Sequence, residues 1–469
     1  MTRSEAELLF ISKKVAKKKQ KGKTMKHINI YGAGLAGCEA AWQAANMGVK
    51  VRLFEMKPEK YTPAHHSEGF AELVCSNSLR SDVISNAVGL LKAEMRALGS
   101  LIMEAAEATK VPAGSALAVD REKFSAYVTE KISNHPNIEI VRGEATSVES
   151  DTVTVIATGP LTSDAMAEYI QNEIGMCSLH FFDAAAPIVD ADSINTDIAF
   201  FASRYDKGDA DYINCPMNEE QYEAFWQALV TAEEAQLKEF DREEQKKVKV
   251  FEGCMPVEVM ARRGRDTLLF GPLKPVGLID KRVGKQAHAV VQLRKENAEG
   301  TMYNLVGFQT HLTFPEQRRV FRMIPGLENA EFLRYGVMHR NTYLDSPENL
   351  DACYRLKNTE IYFAGQMTGV EGYIESAGSG LVAGISAARR VQGLSEIVLP
   401  KCTMLGSMAH YVAGGSNGAF VPMNANFGII EPLPQRVKGG KTAKNQALAE
   451  RALENIEAIK GALYEKDNR

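Results

Sequence analysis

The stretch HINIYGAGLAGCEAAWQAANMGVKVRLFE, residues 27–55, decides the fold. HINIY is a short apolar run suited to a buried strand, and it stops at a glycine. CEAAWQAANM has helical spacing and ends at Gly48, and VKVRLFE reads as a second strand. Between the first strand and the helix stand Gly32, Gly34 and Gly37 in the pattern G-x-G-x-x-G, and Glu55 follows Gly37 by eighteen residues. The glycines permit a tight turn, close approach of backbone to a pyrophosphate, and close helix–strand packing. The helix start offers N–H groups and its dipole to phosphate, and an acid at the end of the second strand is placed to accept from a ribose hydroxyl. The residues therefore describe a βαβ dinucleotide-binding unit. Gly32, Ala33, Gly34, Leu35, Ala36 and Gly37 form its phosphate loop and Glu55 is its ribose acid. A glycine turn serving helix packing alone is the competing reading. Strand, helix and acid at the correct spacing weigh against it.

Outward from this unit, residues 83–108 carry helical apolar spacing, and DREKFSAYVTEKISN (120–134) reads as a helix behind an Asp cap. IEIVRGEATSVESDTVTVIATG (138–159) alternates apolar and polar residues, as strands of a β-meander do, and ends in Ala157-Thr158-Gly159. Residues 218–245 are an acidic helical stretch, and residues 262–295 reverse the sign. EIYFAGQMTGVEGYIESAGSGLVAGISAARRV (360–391) returns to strand, glycine-rich loop and long helix of small residues. The expected architecture is α/β: a Rossmann-type nucleotide-binding domain made of 25–185 and 335–469, an inserted α+β domain at 186–334, and a basic extension at 1–24. The fingerprint alone does not choose between FAD and NAD. The Ala157-Thr158-Gly159 element and the distal strand–glycine–helix resemble FAD-dependent two-dinucleotide folds, in which the last helix points its N-terminus at the flavin.

Composition sets outer limits. The chain has 469 residues, 45% hydrophobic and 24% charged, an ordinary globular balance that argues against disorder. No uncharged apolar run approaches the roughly 18 residues of a membrane span, and the start lacks the apolar core and cleavage site of a signal peptide. Seven unpaired Cys in a long chain point to reduced thiols and a cytoplasmic protein. Residues 1–24 hold eight basic residues against Glu5 and Glu7, so that segment is +6 and the rest of the chain −10, against −4 overall. An acidic body binds RNA only through a local patch or the tail. The tail reads as a basic arm for RNA, as an extension without fold, or as an early start with Met25 the first residue. His65-His66 is the one His cluster and has no ligand at metal spacing, so no metal site is expected.

Free Cys is usually a small buried apolar group. Cys38, Cys177, Cys215, Cys353 and Cys402 have no chemical neighbours in sequence and read as structural. Cys75 lies in FAELVCSNSLRSD (70–82), where Arg80 and helix N–H groups could lower a thiol pKa. Cys254 lies in FEGCMPVEVMARRGRD (251–266), just before the basic stretch, and is a candidate nucleophile. There is no C-x-x-C, which disfavours an adjacent-dithiol flavin oxidoreductase.

GAGLAGCEAAW (32–42), TPAHHSEGFAELVCSNSLRSD (62–82), FEGCMPVEVMARRGRDTLLFGPLKPVGL (251–278), GFQTHLTFPEQRRVFRMIPGLENAEFLRYGVMHRNTY (307–343) and FAGQMTGVEGYIESAGSGLVAG (363–384) together resemble the folate- and FAD-dependent tRNA uracil-5-methyltransferases. The resemblance runs from about Lys26 to beyond Gly384 and leaves out the N-terminal extension. It implies FAD as cofactor, 5,10-methylenetetrahydrofolate as one-carbon donor, NADPH or NADH as reductant, and carbon 5 of a uridine as acceptor, usually position 54 of the tRNA T-loop. It places the two family cysteines on Cys254 and Cys75, with Cys254 the attacker of the base and Cys75 a second thiol or proton shuttle. The chemistry suits a thiol, because uracil carbon 5 is a poor nucleophile until a thiolate adds to carbon 6. The target base must also leave its stack.

On the same logic Arg262, Arg263, Arg265 and Lys274, which follow Cys254, could hold RNA phosphates; the alternative is a solvated face paired with the acidic 218–245 helix. Arg318, Arg319 and Arg322 are a second RNA contact or plain helix surface. His339, Arg340, Asn341 and Tyr343, with Glu371 and Tyr373, supply donors and aromatic faces suited to a pterin, as structural turns also would. Partners are then tRNA and folate, with no membrane and no obligatory protein partner evident. Ribosomal RNA remains open as the target. Two other readings stand beside the first: a related FAD-dependent enzyme that places a carboxymethylaminomethyl group on the tRNA wobble uridine, and a flavin- and RNA-binding protein without catalysis.

Overall fold

The computed structural model describes residues 27–464 apart from 63, 150, 176–177, 185, 207–208, 236–254, 298–299, 337, 415–419, 421 and 436, with backbone only at 178–184 and 338–342. The basic extension, Cys177 and Cys254 lie outside the described residues.

Five strands form a parallel sheet in the order Ile361–Phe363, Val153–Ile156, His27–Tyr31, Lys50–Glu55, Ile138–Arg142. Ile28, Ile30, Val51, Leu53, Val153 and Val155 are buried, as expected of a parallel sheet covered on both faces. Successive strands are added on opposite sides of His27–Tyr31, so the strand order reverses there and leaves a crevice at the carboxyl ends of the strands.

The β-meander expected for 138–159 does not form. Ile138–Arg142 and Val153–Ile156 are both parallel strands lying on opposite sides of the sheet, and neither pairs with the other. Alternation reports a strand; it does not report the partner, which the helices covering the sheet decide. The helical stretch 83–108 is two helices, Ala87–Ala97 and Leu101–Ala108. Gly99, at φ 69°, breaks it, and Ser100 starts the second helix by accepting from the N–H of Met103 at 3.2 Å. The Asp120 cap does form, its carboxylate accepting from the N–H of Lys123 at 3.1 Å.

The chain returns to this sheet late, and small residues make the return tight. The Tyr373–Val391 helix crosses the Leu35–Asn46 helix so closely that a Cβ at Gly380 would lie 2.2 Å from the carbonyl oxygen of Ala36, and one at Gly384 2.5 Å from that of Ala40. Only hydrogen fits at either position. Buried Glu39 secures the other side, accepting from Ser100 Oγ at 2.7 Å and the N–H of Ile102 at 3.0 Å.

A second sheet is antiparallel, with six strands in the order Phe200–Ala202, Tyr212–Met217, Ala289–Lys295, Met302–Leu305, Ile188–Asp190, Phe332–Arg334. The helices Glu219–Val230, Val257–Arg262 and Phe314–Phe321 share its core through Tyr222, Phe225, Val257, Val320 and Phe321. The paired strands Ser178–Ala184 and Met338–Leu344 lead into and out of this region. The architecture is thus α/β, a Rossmann-type parallel sheet carrying an α+β insertion. Among the described residues no helix is long and apolar enough to cross a membrane.

Candidate active site

The phosphate loop is built by contacts that exclude side chains. Gly32 has φ 98°, and a Cβ there would sit 2.6 Å from the carbonyl oxygen of Ala157. A Cβ on Gly37 would sit 1.8 Å from the carbonyl oxygen of Gly32. Gly34 differs, since a Cβ there meets no protein atom within 4 Å. The space beside Gly34 is therefore left for something that is not protein, at the start of a helix whose first N–H groups have no partner within it. Glu55 is 7% exposed; one carboxylate oxygen accepts from the N–H of Ala33 at 2.9 Å and the other from that of Lys57 at 3.0 Å. Each oxygen keeps a lone pair for a ribose hydroxyl. The Cys38 thiol donates to the carbonyl of Ala33 at 3.3 Å and is pushed far up by burial, so it braces the turn and is inert.

From this loop an open cleft of ≈ 1150 Å³, counting space shared with solvent, runs past Thr158 and Gly159 to Gly365, Tyr373 and Ser376. It joins the first βα turn to the start of the Tyr373–Val391 helix. These residues fit a dinucleotide whose phosphates rest on the glycine loop and whose far ring reaches the second helix start.

At that far end the hydroxyl of Tyr373 lies 3.1 Å from Sγ of Cys75. The antiparallel sheet closes the same wall. Arg294 donates to Asn77 Oδ1 at 3.0 Å and Ser76 Oγ at 2.8 Å, Arg121 pairs with Glu296 at 2.8 Å, and Asn77 donates to the carbonyl of Lys295 at 2.7 Å. Arg121 and Arg294 both interact electrostatically with the Cys75 thiol. Arg80, expected to act on that thiol, pairs with the fully buried Glu375. Glu371 is buried, with both carboxylate oxygens held by Gln366 Nε2 at 2.9 and 2.8 Å.

The comparisons with known proteins agree with this geometry. The family model "Glucose inhibited division protein A" matches residues 27–395. The methylenetetrahydrofolate–tRNA-(uracil-5-)-methyltransferase TrmFO of Acetivibrio thermocellus is 60% identical over 428 residues, covering 91% of this chain and 97% of that protein. Its namesake in Heliobacterium modesticaldum is 60% identical over 92% of this chain and 97% of that protein. The chain belongs to the methylenetetrahydrofolate–tRNA-(uracil-5-)-methyltransferase family. Among solved structures, Aquifex aeolicus GidA in its form I crystal superimposes with a TM-score of 0.67 at 18% identity, covering 93% of this chain and 77% of that one, a likeness of fold.

In this methyltransferase-family chain the remaining candidates fall in different places. Arg262 pairs with Glu234, and Arg265 reaches Glu219 at 3.1 Å and Glu223. Arg265 thus pairs with the acidic helix Glu219–Val230, while the partner of Arg262 lies just beyond that helix's end. Arg263 is exposed, and Lys274 half-buried. Arg318 bonds the Tyr335 hydroxyl at 2.7 Å, Arg319 pairs with Glu316 at 2.6 Å, and Arg322 bonds the carbonyl of Ala330 at 2.8 Å. The side chains of His339, Arg340 and Asn341 lie outside the description; Asn341 has its backbone paired opposite Phe181. Tyr343 stands beside Phe420 at 6.4 Å between ring centres. Cys215, Cys353 and Cys402 are buried, and burial raises their pKa values, to about 12 for Cys353. Among the described residues no cluster of His, Cys, Asp or Glu could hold a metal ion. Arg121, Arg294 and Glu296 carry no local sequence signal, because the fold alone brings them to Cys75.

Proposed function

We propose that this chain transfers a one-carbon unit from 5,10-methylenetetrahydrofolate to carbon 5 of a uridine in tRNA, at position 54 of the T-loop, with FAD as cofactor and NADPH or NADH as reductant. The observation that carries the reading is one cleft running from the glycine loop to Tyr373, whose hydroxyl bonds the Cys75 sulfur, in a chain that shares 60% of its residues with a TrmFO methyltransferase over nearly its whole length. When bound, the flavin supplies one-carbon relay and hydride chemistry. The chain's own residues do the rest. The Gly32–Gly37 loop and Glu55 hold the pyrophosphate and ribose. The Tyr373 end of the cleft places Cys75 at the reacting end. Cys254 supplies the thiolate that adds to carbon 6 of the uracil and leaves once the carbon 5 proton is removed.

On this reading residues 25–185 and 335–469 form the FAD-binding domain and residues 186–334 help present the RNA, with Arg263 and Lys274 as phosphate contacts. Asn341, Glu371 and Tyr373 remain the candidates beside the pterin. The working compartment is the cytoplasm, where tRNA and reduced folate are found.

The test is direct. Purified protein is incubated with unmodified tRNA, labelled methylenetetrahydrofolate and NADPH, and the nucleosides are analysed by mass after digestion. Labelled 5-methyluridine in the T-loop fragment is expected; its absence from tRNA and ribosomal RNA alike would overturn the reading.

A further inference from the structure

The Tyr373 hydroxyl has a fully specified hydrogen-bond pattern. The backbone N–H groups of Cys75 and Ser76 donate to its oxygen at 2.8 and 3.3 Å, and it donates to Cys75 Sγ at 3.1 Å. A phenol oxygen offers one proton and accepts at its lone pairs. With two amides on the lone pairs, the proton points at sulfur, and the sulfur is the acceptor. A thiolate fills that role best, since hydrogen bonds to an ionised partner are about twice as strong as neutral ones.

The surrounding charges agree. Arg121, from the helix after Asp120, and Arg294, from the antiparallel sheet, both act on the thiol. Glu296 is ion-paired with Arg121, while Arg294 is bonded to the neutral Asn77 and Ser76. Arg334 also acts on Arg121 and on Tyr373 itself, and with Glu72 and Glu296 completes the charged groups around the pair. Tyr373 itself stays protonated, because burial pushes its hydroxyl well above the usual 10.

We propose that Tyr373 is a positioning residue for Cys75: its hydroxyl, oriented by two backbone amides, holds the Cys75 sulfur as a hydrogen-bond-accepting thiolate next to the cofactor cleft that Tyr373 lines. This assigns Tyr373 a task on the thiol beyond lining a pterin pocket. It rests on the proposed function only for its consequence, because thiol reactivity is measured without methyl transfer.

The test uses the FAD-loaded protein and iodoacetamide, with alkylation of the Cys75 peptide followed by mass spectrometry over a pH series and Cys75→Ser identifying the peptide. Tyr373→Phe is expected to slow Cys75 alkylation near neutral pH about tenfold and to move its profile to higher pH, with flavin absorbance retained. An unchanged profile overturns the proposal and leaves Tyr373 a clamp on the 75–76 backbone. If the Phe variant loses its flavin, 3-fluorotyrosine at position 373 keeps the shape and strengthens the donor. The profile then moves to lower pH, and a profile that stays in place overturns the proposal. Absence of 5-methyluridine synthesis by the unaltered protein, with the alkylation shifts intact, would count against the proposed reaction alone.

Discussion

Glu55 and Ala33 are joined by a 2.9 Å hydrogen bond from the amide of the glycine turn to the carboxylate at the end of the next strand. The acid that a dinucleotide site reserves for ribose thus also fixes the turn that receives the phosphates. Glu55→Gln keeps one acceptor for two amides, Ala33 and Lys57, and puts an NH₂ group against one of them. FAD affinity is expected to fall by about 2 kcal/mol, roughly thirtyfold, read by titration of the apoprotein with flavin.

Gly34 and Gly37 separate cofactor space from protein packing. A methyl group at Gly34 meets no protein atom, so Gly34→Ala keeps its melting temperature in the apoprotein while flavin binding falls. The same group at Gly37 strikes the Gly32 carbonyl, so Gly37→Ala loses both. Thermal melts with and without FAD distinguish the two outcomes.

Cys254→Ala is expected to abolish 5-methyluridine formation with flavin absorbance and tRNA binding retained, because the attacking thiolate has no substitute. Product formed at the original rate would transfer the nucleophile to another residue.

Arg263 is exposed, whereas Arg265 is spread over Glu219 and Glu223. Arg263→Ala should lower tRNA affinity and reduce the salt slope of binding by about one charge. Arg265→Ala should change the slope less, since its charge is already compensated. Filter binding over a salt series reads both.

His311 and Glu258 oppose each other in pH. Burial pushes His311 down to about 4 from 6.5, so the unfolded chain takes up its proton first, and the stability from this site is lost as pH falls from 6.5 to 4. Burial pushes Glu258 up to about 7 from 4.5, so its contribution is lost as pH rises from 4.5 to 7. His311→Gln removes the first effect only. The stability difference between wild type and variant should widen by up to about 3 kcal/mol from pH 4 to 6.5, measured by denaturant unfolding.

Residues 27–55 are legible because their signals follow one another along the chain, although the contact that excludes a side chain at Gly32 comes from Ala157. A strand, a turn that admits no Cβ, a helix start and an acid one strand later are set by spacing along one short segment. The long motifs around Cys75 and Tyr373 likewise marked a family without any knowledge of contacts. The pairing of 138–142 and 153–156 is not legible in sequence because alternation is the same in a meander and in a parallel sheet; helices covering both faces choose between them. Arg80, five residues from Cys75, pairs with Glu375, a partner 295 residues away that spacing does not reveal. Arg121 and Arg294 act electrostatically on the thiol from 46 and 219 residues away in sequence. A chemical site depends on distance in space: the helix that begins at Arg121 and the antiparallel sheet that carries Arg294 both pack against the 73–77 loop, and only that packing brings their charges near the thiol.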